Sequence, residues 1–312
     1  MNPIRNILVI VDPTANQHPA IAKGALLAQK SGARLELFVC DTKASREARL
    51  ATHLKQRPRE PFLASVKALL EELAAPLRTH GLDVTTEIEC ADPLHAALVD
   101  RSRRTSAELV VKDTHHHSFE KRTFLTNTDW HLIRTCPVPL LLTKTSTWAA
   151  APRIIAAIDP GHANDKPAVL DNHILDCASG MSRALGGELH LLHAYIPVTV
   201  AAAATAANPA IAVTVSAEHL AAEERRKREQ VQALATGYRV SSEHVHLEVG
   251  GPSEVLPRLA GVLRADIVTM GAVSRSGLQR AFLGSTAEDV LEHLPCDALI
   301  VKSPDFAAML PF

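Results

Sequence analysis

Short apolar runs alternate with helix-like segments along the whole chain. In the second half the apolar runs are 154–158, 188–194, 245–249, 266–270 and 298–302. Between them, Asn172–Leu185 and Glu218–Ala235 carry apolar residues at helical spacing, and each ends shortly before a glycine. Strands that alternate with helices predict parallel β-α-β units. Such continuous apolar runs are typical of strands that helices cover on both faces, so the pattern predicts an α/β fold.

The chain also repeats itself. The run NILVIVDP at Asn6–Pro13 returns as RIIAAIDP at Arg153–Pro160. A longer stretch, Ala107–Lys144, returns without a gap as Ala265–Lys302. A repeat of this length indicates a tandem duplication. We therefore expect two Rossmann-like domains, each an open five-stranded parallel sheet with helices on both faces.

Length and composition agree with two globular, soluble domains. The 312 residues correspond to two domains of about 150 residues each, and a boundary near Thr145–Pro152 gives domains 1–146 and 152–304. With 46% hydrophobic residues and a formal net charge of −1, the chain shows no broad attraction to nucleic acid or to an anionic membrane. The basic clusters Arg101–Arg104 and Glu224–Glu229 are typical of solvated helix faces.

Cysteine usage and the N-terminus predict a cytoplasmic location. The five cysteines are scattered singly, so neither a zinc knuckle nor a dithiol motif is indicated. The segment Met1–Pro13 runs into a strand pattern without a signal-peptide cleavage region. The Ala/Val-rich segment Val198–Val215 is interrupted by Asn208-Pro209, so we do not expect a membrane span. We expect it to pack on a core or on the other domain, with the wall of an apolar ligand cavity as the alternative.

A glycine-rich stretch after the predicted fourth strand is the candidate binding loop. Its glycines are Gly271, Gly277 and Gly284. Open parallel sheets bind ligands beyond the carboxyl ends of their strands, where the strand order reverses. Glycine allows close approach to the backbone, and a helix that begins at Ser285 and Thr286 offers N–H and hydroxyl donors to a phosphate. A turn followed by a capping box of Ser285 and Glu288 fits the same residues, so the pattern leaves both interpretations open.

In both halves the chain resembles tandem universal stress proteins, most of all the E-type two-domain members. The residues that carry the resemblance are ILVIVDP, IIAAIDP, ADIVTMGAVSRSG and AFLGSTAEDVLEHLPCDALIVK. The resemblance implies the open five-stranded sheet expected above. In nucleotide-binding members it also implies a loop of the form Gly-x-x-Gly-x9-Gly-Ser/Thr that holds the phosphates of ATP, with or without Mg²⁺. A carboxylate after the first strand and residues that end the second and fourth strands line the adenosine pocket.

Carried over to this chain, the resemblance assigns a nucleotide site to the second domain. Asp159 follows the first strand, and Ala194 and Met270 end the second and fourth strands. The loop residues are Gly271, Ser274, Gly284 and Ser285, to which the glycine and hydroxyl pattern adds Gly277 and Thr286. Ser274 stands where the family pattern has its second glycine.

The first domain departs much further from this pattern. Its equivalent loop, Lys112–Trp130, contains no glycine. At the four loop positions it carries Asp113, His116, Thr126 and Asn127. Since a carboxylate at the phosphate position would repel the ligand, we expect no ATP binding by this loop.

Several further residues have a structural and a functional interpretation. The run His115–His117 is more typical of a surface loop than of a zinc site, because adjacent residues rarely point at one ion. His193, close to His190, fits a packed core position. Asp12 and Asp159 each follow a first strand and could also serve as turn or helix-cap residues.

No nucleophile–base–orienter set is recognisable, so we expect at most slow ATP hydrolysis. The leading hypothesis is a cytoplasmic stress-response regulator that binds ATP or a related nucleotide and acts through unknown protein partners. The alternatives are a nucleotide-free interaction scaffold and a binder of another phosphate-bearing or partly apolar small molecule. The apolar fifth strands, VPLLLTK and DALIVK, need a partner edge. They pair either within the chain, as a pseudo-dimer, or with a second copy, as a homodimer.

Overall fold

The computed structural model describes residues 4–40, 60–116, 123–161, 168–197, 217–271, 285–304 and 306. The first half contains β1 (Asn6–Ile10), α1 (Pro19–Ser31), β2 (Arg34–Cys40), α2 (Glu60–Thr79), β3 (Val84–Glu89), α3 (Leu94–Arg104), β4 (Leu109–Asp113), β5 (His115–His116), β6 (Thr123–Phe124), α4 (Asn127–Thr135) and β7 (Leu140–Thr143). The second half contains β8 (Arg153–Ala157), α5 (Ala168–Leu185), β9 (Glu188–Tyr195), α6 (Ala217–Gly237), a 3-10 turn (Ser242–His244), β10 (Val245–Val249), α7 (Pro252–Leu263), β11 (Ile267–Gly271), α8 (Ser285–His293) and β12 (Asp297–Val301).

Ten strands form one continuous sheet in the order β10-β9-β8-β11-β12-β7-β4-β1-β2-β3. The five strands that each half contributes to this sheet are parallel to one another. The predicted α/β fold class is therefore confirmed, and the strands expected in the second half agree with β8–β12 to within one residue at each end. The short antiparallel pair of β5 and β6 was not expected from the sequence.

The two halves meet at their fifth strands. β12 pairs antiparallel with β7, with Ala298 opposite Leu142 and Ile300 opposite Leu140. Every residue of both strands is buried. The apolar edges that the sequence left without an assigned partner are thus paired within the chain, as in a pseudo-dimer.

Helices cover both faces of the sheet and create two apolar layers. Helices α1, α2, α5 and α6 pack on one face, and α3, α4, α7 and α8 pack on the other. Side chains alternate between the layers along each strand, so that Leu191 belongs to the first layer and Leu192 to the second. Each layer runs across both halves, which explains why both faces of the strands are apolar.

Three further expectations bear on the fold. No helix among the described residues is long and apolar enough to cross a membrane. None of the five cysteines, all of which lie in the described part of the chain, forms a disulfide bond. The segment Val198–Val215 lies outside the described residues.

Candidate functional site

The strand order of the second half brings the predicted site residues to one edge of the sheet. β8 lies between β9 and β11 in the sheet. After β8 the chain adds β9 and β10 on one side of it and then crosses over to add β11 and β12 on the other side. The carboxyl ends of these three strands carry Asp159, Ala194 and the pair Met270 and Gly271. This is the topological switch point at which open parallel sheets bind ligands.

Asp159 has a buried carboxylate oxygen without a hydrogen-bond partner in the described part of the chain. Its backbone N–H donates to Asp171 Oδ1 at 3.0 Å. Asp159 Oδ1 lies 4.0 Å from His193 Nδ1, and Asp159 Oδ2 is the atom that lacks a partner. An unsatisfied buried carboxylate oxygen is costly, and a ligand that donates a hydrogen bond to it removes that cost.

His193 lies beside this carboxylate inside the sheet edge. Its side chain is almost fully buried, and Nδ1 lies 3.2 Å from the Ile158 carbonyl oxygen. Burial lowers the pKa of His193, so the ring is neutral at pH 7 and Nδ1–H donates to that carbonyl. Nε2 then has no hydrogen-bond partner among the described residues. The ring is packed as expected, and it adds a second unsatisfied polar atom next to Asp159.

Lys227 on α6 brings a positive charge to the same edge. Lys227 Nζ lies 5.0 Å from the ring centroid of Tyr195, the last residue of β9. A Cβ built at Gly161 would lie 3.8 Å from Asp159 Oδ1 and 3.8 Å from Lys227 Nζ. The carboxylate and the ammonium therefore reach the same space above Gly161.

Lys227 was missed by the sequence analysis, which assigned its basic run to a solvated helix face. Most of that run is exposed, but Lys227 is half-buried. It lies one helical turn before the buried Val231 and two turns before the buried Ala235. This spacing places Lys227 on the sheet-facing stripe of α6 and is the signal that could have identified it.

The residues that end β9 and β11 form the apolar side of this edge. Met270 is buried, and Ala194 packs against the same apolar layer. Gly271 approaches α5 closely, because a Cβ there would lie 2.8 Å from Leu170 Cδ2 and 3.3 Å from Ile174 Cδ1. The close packing of α5 therefore already favours glycine at this position, because an added Cβ would displace the end of the Leu170 side chain.

The rest of the predicted glycine-rich loop is described only at its end. Ser274, Gly277 and Gly284 lie outside the described residues. Ser285 begins α8, and Thr286 is exposed in its first turn. Glu288, the expected partner in a capping box, accepts a hydrogen bond from Arg134 of the first half at 3.3 Å.

The first half uses the equivalent of Asp159 in a local turn. Asp12 Oδ1 accepts hydrogen bonds from the backbone N–H of Thr14 at 2.8 Å and from its hydroxyl at 2.6 Å. This is the turn role that short acidic side chains often take.

In the first half, Asp113 stands at the position of Gly271 and forms contacts within the protein. Asp113 Oδ1 accepts hydrogen bonds from the Ala20 N–H in the first turn of α1 and from the Thr143 hydroxyl, both at 2.7 Å. Burial raises the pKa of Asp113. The neighbouring Lys112 Nζ lies 2.7 Å from Asp129 Oδ1 on α4. These contacts occupy the carboxyl ends of the strands with the chain's own side chains.

The histidine run of the first half is only partly described. His115 and His116 form β5, which pairs with β6, while His117 lies outside the described residues.

Family comparison agrees with the repeated architecture. The model of the Universal stress protein family matches residues 3–144 and 152–302. The chain belongs to the universal stress protein family. The two matched ranges show that it is a tandem member.

Relatives and solved structures are similar over nearly the full length of the chain. Universal stress protein E of Escherichia coli K12 is 28% identical, with 96% of this chain and 94% of that protein covered. A Universal stress protein E homolog of Haemophilus influenzae is 26% identical, with 96% and 97% covered.

Among solved structures, a functionally unknown protein of Pseudomonas aeruginosa PAO1 has a TM-score of 0.76 and 28% identity, with 98% of this chain and 95% of that chain covered. A universal stress protein of Archaeoglobus fulgidus has a TM-score of 0.66 at 16% identity, with 96% and 98% covered, and shows the shared fold.

Proposed function

We propose that the second half binds ATP or a related nucleotide at the carboxyl ends of β8, β9 and β11, and that the protein is a cytoplasmic regulator acting through protein partners. The observation that carries the proposal is the buried Oδ2 of Asp159 at the switch point, which has no hydrogen-bond partner among the described residues. Family membership supports the same site.

The chemistry of this edge suits a nucleoside. In other nucleotide-binding parallel sheets a carboxylate at this edge accepts a hydrogen bond from a ribose hydroxyl. Asp159 Oδ2 supplies such an acceptor. Met270 and Ala194 supply apolar surface for a base, and the Lys227 ammonium suits a phosphate.

The contrast between the halves restricts the proposal to the second one. Asp12 is satisfied by Thr14, and Asp113 is satisfied by Ala20 and Thr143. A ligand in the first half would have to displace these contacts and meet the charge of the Lys112–Asp129 pair. We therefore expect one nucleotide per chain.

Regulation would follow from binding at the loop between β11 and α8. A phosphate held by backbone N–H groups and by the hydroxyls of Ser285 and Thr286 would favour one arrangement of this loop, and Mg²⁺ would neutralise the remaining phosphate charge. The fifth-strand edges already pair with each other within the chain. A partner would therefore bind a different surface, such as one that includes this loop.

The test is calorimetric titration with ATP, with and without Mg²⁺, together with native mass spectrometry of the freshly purified protein. We expect one adenine nucleotide per chain. Asp159→Ala should weaken binding by about tenfold or more, because the loss of a hydrogen bond to a charged group costs about 1.5–3 kcal/mol. The matched variant Asp12→Ala should leave the affinity unchanged. Gly284→Asp should abolish binding, because it places a carboxylate beside the phosphates.

Three outcomes would contradict the proposal. Two nucleotides per chain would show that the first half binds as well. Equal affinities of Asp159→Ala and the wild type would remove Asp159 from the site. Failure to bind ATP would favour the scaffold alternative, unless a different phosphate-bearing or apolar molecule is released on denaturation, which would favour the third hypothesis.

A further inference from the structure

A second cluster of polar side chains lies at the opposite end of β9, away from the proposed nucleotide site. Glu188 begins β9, His190 follows two residues later, and His244 ends the 3-10 turn before β10. One ligand atom of each residue lies within 4.8 Å of those of the other two. The ring centroids of His190 and His244 are 4.2 Å apart.

His190 has one ring nitrogen that is satisfied and one that is not. Nδ1 lies 3.2 Å from His246 Nε2 on β10. Nε2 lies 3.9 Å from Glu188 Oε2, is buried, and has no hydrogen-bond partner among the described residues. Only 6% of the His190 side chain is exposed. When Nδ1–H donates to His246, the lone pair of Nε2 is directed to the cluster.

We propose that Glu188, His190 and His244 bind a divalent transition-metal ion, with Zn²⁺ as the best match. Two imidazoles and one carboxylate are a known three-residue ligand set for zinc, with water at the remaining position. Imidazole nitrogen also selects zinc-like ions over Mg²⁺ and Ca²⁺. A bound ion would satisfy His190 Nε2, the nitrogen of this cluster that is buried without a partner among the described residues.

The surrounding residues support the three ligands. His246 fixes the orientation of the His190 ring, which is the usual role of a group behind a metal-binding histidine. Arg153 Nε donates to Glu188 Oε2 at 3.1 Å and lowers the pKa of Glu188, so the carboxylate is ionised. Burial and the two neighbouring imidazoles lower the pKa of His190 to about 4, which keeps the ring neutral as coordination requires.

An ion can reach the cluster from solvent. Glu188 and His244 form part of the wall of a cavity of about 940 Å³, which Tyr238 and Arg239 also line. Glu188 is exposed and His244 is half-buried. The ligands are therefore a buried histidine at the back and two accessible groups at the front.

The test uses the full-length protein after treatment with a chelator. Zn²⁺ affinity is measured by competition with a chromophoric chelator, and Co²⁺ is added separately to record its visible absorption band. We expect one site that His244→Ala and Glu188→Gln each weaken by about tenfold or more, with loss of the Co²⁺ band in His244→Ala. His246→Ala should weaken binding by about 10–100-fold, and His246→Gln, which can still accept from His190, should largely restore it.

Controls separate this site from folding and from the histidine run. Thermal unfolding of each metal-free variant shows whether the fold is intact, and both front residues are accessible enough to be replaced. Substitution of serine for His115, His116 and His117 should leave the site unchanged. The proposal is overturned if the wild type does not bind Zn²⁺, if His244→Ala and Glu188→Gln bind as the wild type does, or if only the serine variant loses binding.

Discussion

At the scale of single residues, the two halves differ at a pair of equivalent positions that holds an ion pair in the first half and apolar side chains in the second. The repeat aligns Lys112 with Met270 and Asp129 with Ala287. Asp129 is fully buried and forms an ion pair with Lys112 Nζ, whereas Met270 and Ala287 belong to an apolar layer. The same pair of positions therefore holds an ion pair in the first half and an apolar contact layer in the second.

Removal of only one partner should be more harmful than removal of both. Lys112→Met leaves the Asp129 carboxylate buried without its cation, which should cost about 3–5 kcal/mol in the free energy of unfolding. The double variant Lys112→Met/Asp129→Ala recreates the second half's pair and should be more stable than Lys112→Met. It should still lose about 1 kcal/mol, because Asp129 also forms the capping box with Thr126. Urea unfolding followed by tryptophan fluorescence measures both.

The exposed pair of Arg228 and Glu224 is the matched control for this cycle. Arg228→Ala should change the free energy of unfolding by less than about 0.5 kcal/mol. A double variant that is less stable than Lys112→Met would show that the buried pair is not what couples these positions.

At the scale of elements, the contact between β11 and α5 gives a packing reason for Gly271, which the sequence pattern associated with phosphate binding. Gly271 faces the ends of the Leu170 and Ile174 side chains, which would have to shift to admit a methyl group. Both interpretations need glycine at the end of the same strand, so the sequence alone could not separate them. Only the path of α5 across the sheet shows the packing requirement.

Gly271→Ala should destabilise the protein by about 1–3 kcal/mol, because Leu170 and Ile174 must move to admit the added methyl group. Gly261→Ala on α7 is the control, since a Cβ there meets nothing within 4 Å. That substitution should stabilise the helix by about 0.5–1 kcal/mol. Urea unfolding measures the two effects, and equal stabilities of the two variants would contradict the packing argument.

The strands and their common edge could be predicted because they depend on local apolar runs and on the rule that parallel strands end together. The placement of Asp159 near Gly271 follows from that rule. The cluster of Glu188, His190 and His244 could not be predicted, since its members become neighbours only through the register of β9 and β10. The pairing of β7 with β12 within the chain was one of two open alternatives. An apolar strand pattern shows that an edge strand needs a partner, but it does not show whether that partner belongs to the same chain or to a second copy.

At the scale of the whole molecule, buried lysines connect the halves in a nearly symmetric way. Lys144 follows β7 and donates through Nζ to the Leu294 carbonyl of the second half. Lys302, its counterpart after β12, donates to the Ile133 carbonyl of the first half. Each carbonyl lies at or just beyond the last turn of a helix, where a positive charge is favoured.

One buried carboxylate breaks this symmetry and strengthens the junction. Asp297 at the start of β12 is fully buried. It accepts hydrogen bonds from Lys23 Nζ at 2.7 Å, from the Lys144 N–H at 2.8 Å and from Trp148 Nε1 at 2.8 Å. These donors come from α1, from the end of β7 and from the segment between the halves. The repeats thus share a polar network as well as apolar layers.

The buried Lys302 should make the free energy of unfolding rise with pH, and the substitution Lys302→Met should remove this dependence. Burial lowers the pKa of Lys302 to about 8, whereas an unfolded lysine has a pKa of about 10.4. Between these values the unfolded chain binds a proton that the folded protein does not. The contribution of Lys302 to the free energy of unfolding therefore rises with pH, by at most about 1.4 kcal/mol per pH unit. Lys302→Met lacks this contribution.

Buried thiols act in the opposite direction, because burial raises the pKa of Cys136 to about 11 and that of Cys296 to about 12. Both proteins retain these thiols, so the contribution of Cys296 cancels in the difference between wild type and Lys302→Met. Lys302 also lowers the pKa of Cys136, so the difference reports the lysine together with its coupling to that thiol. Urea unfolding at intervals from pH 7 to pH 10 should show the wild type gaining stability relative to Lys302→Met, most steeply above pH 8. The exposed Lys30 on α1, replaced by Met, is the control. A difference that stays constant with pH would mean that folding does not lower the pKa of Lys302, so that the Ile133 carbonyl and the other groups around the ammonium compensate fully for its burial.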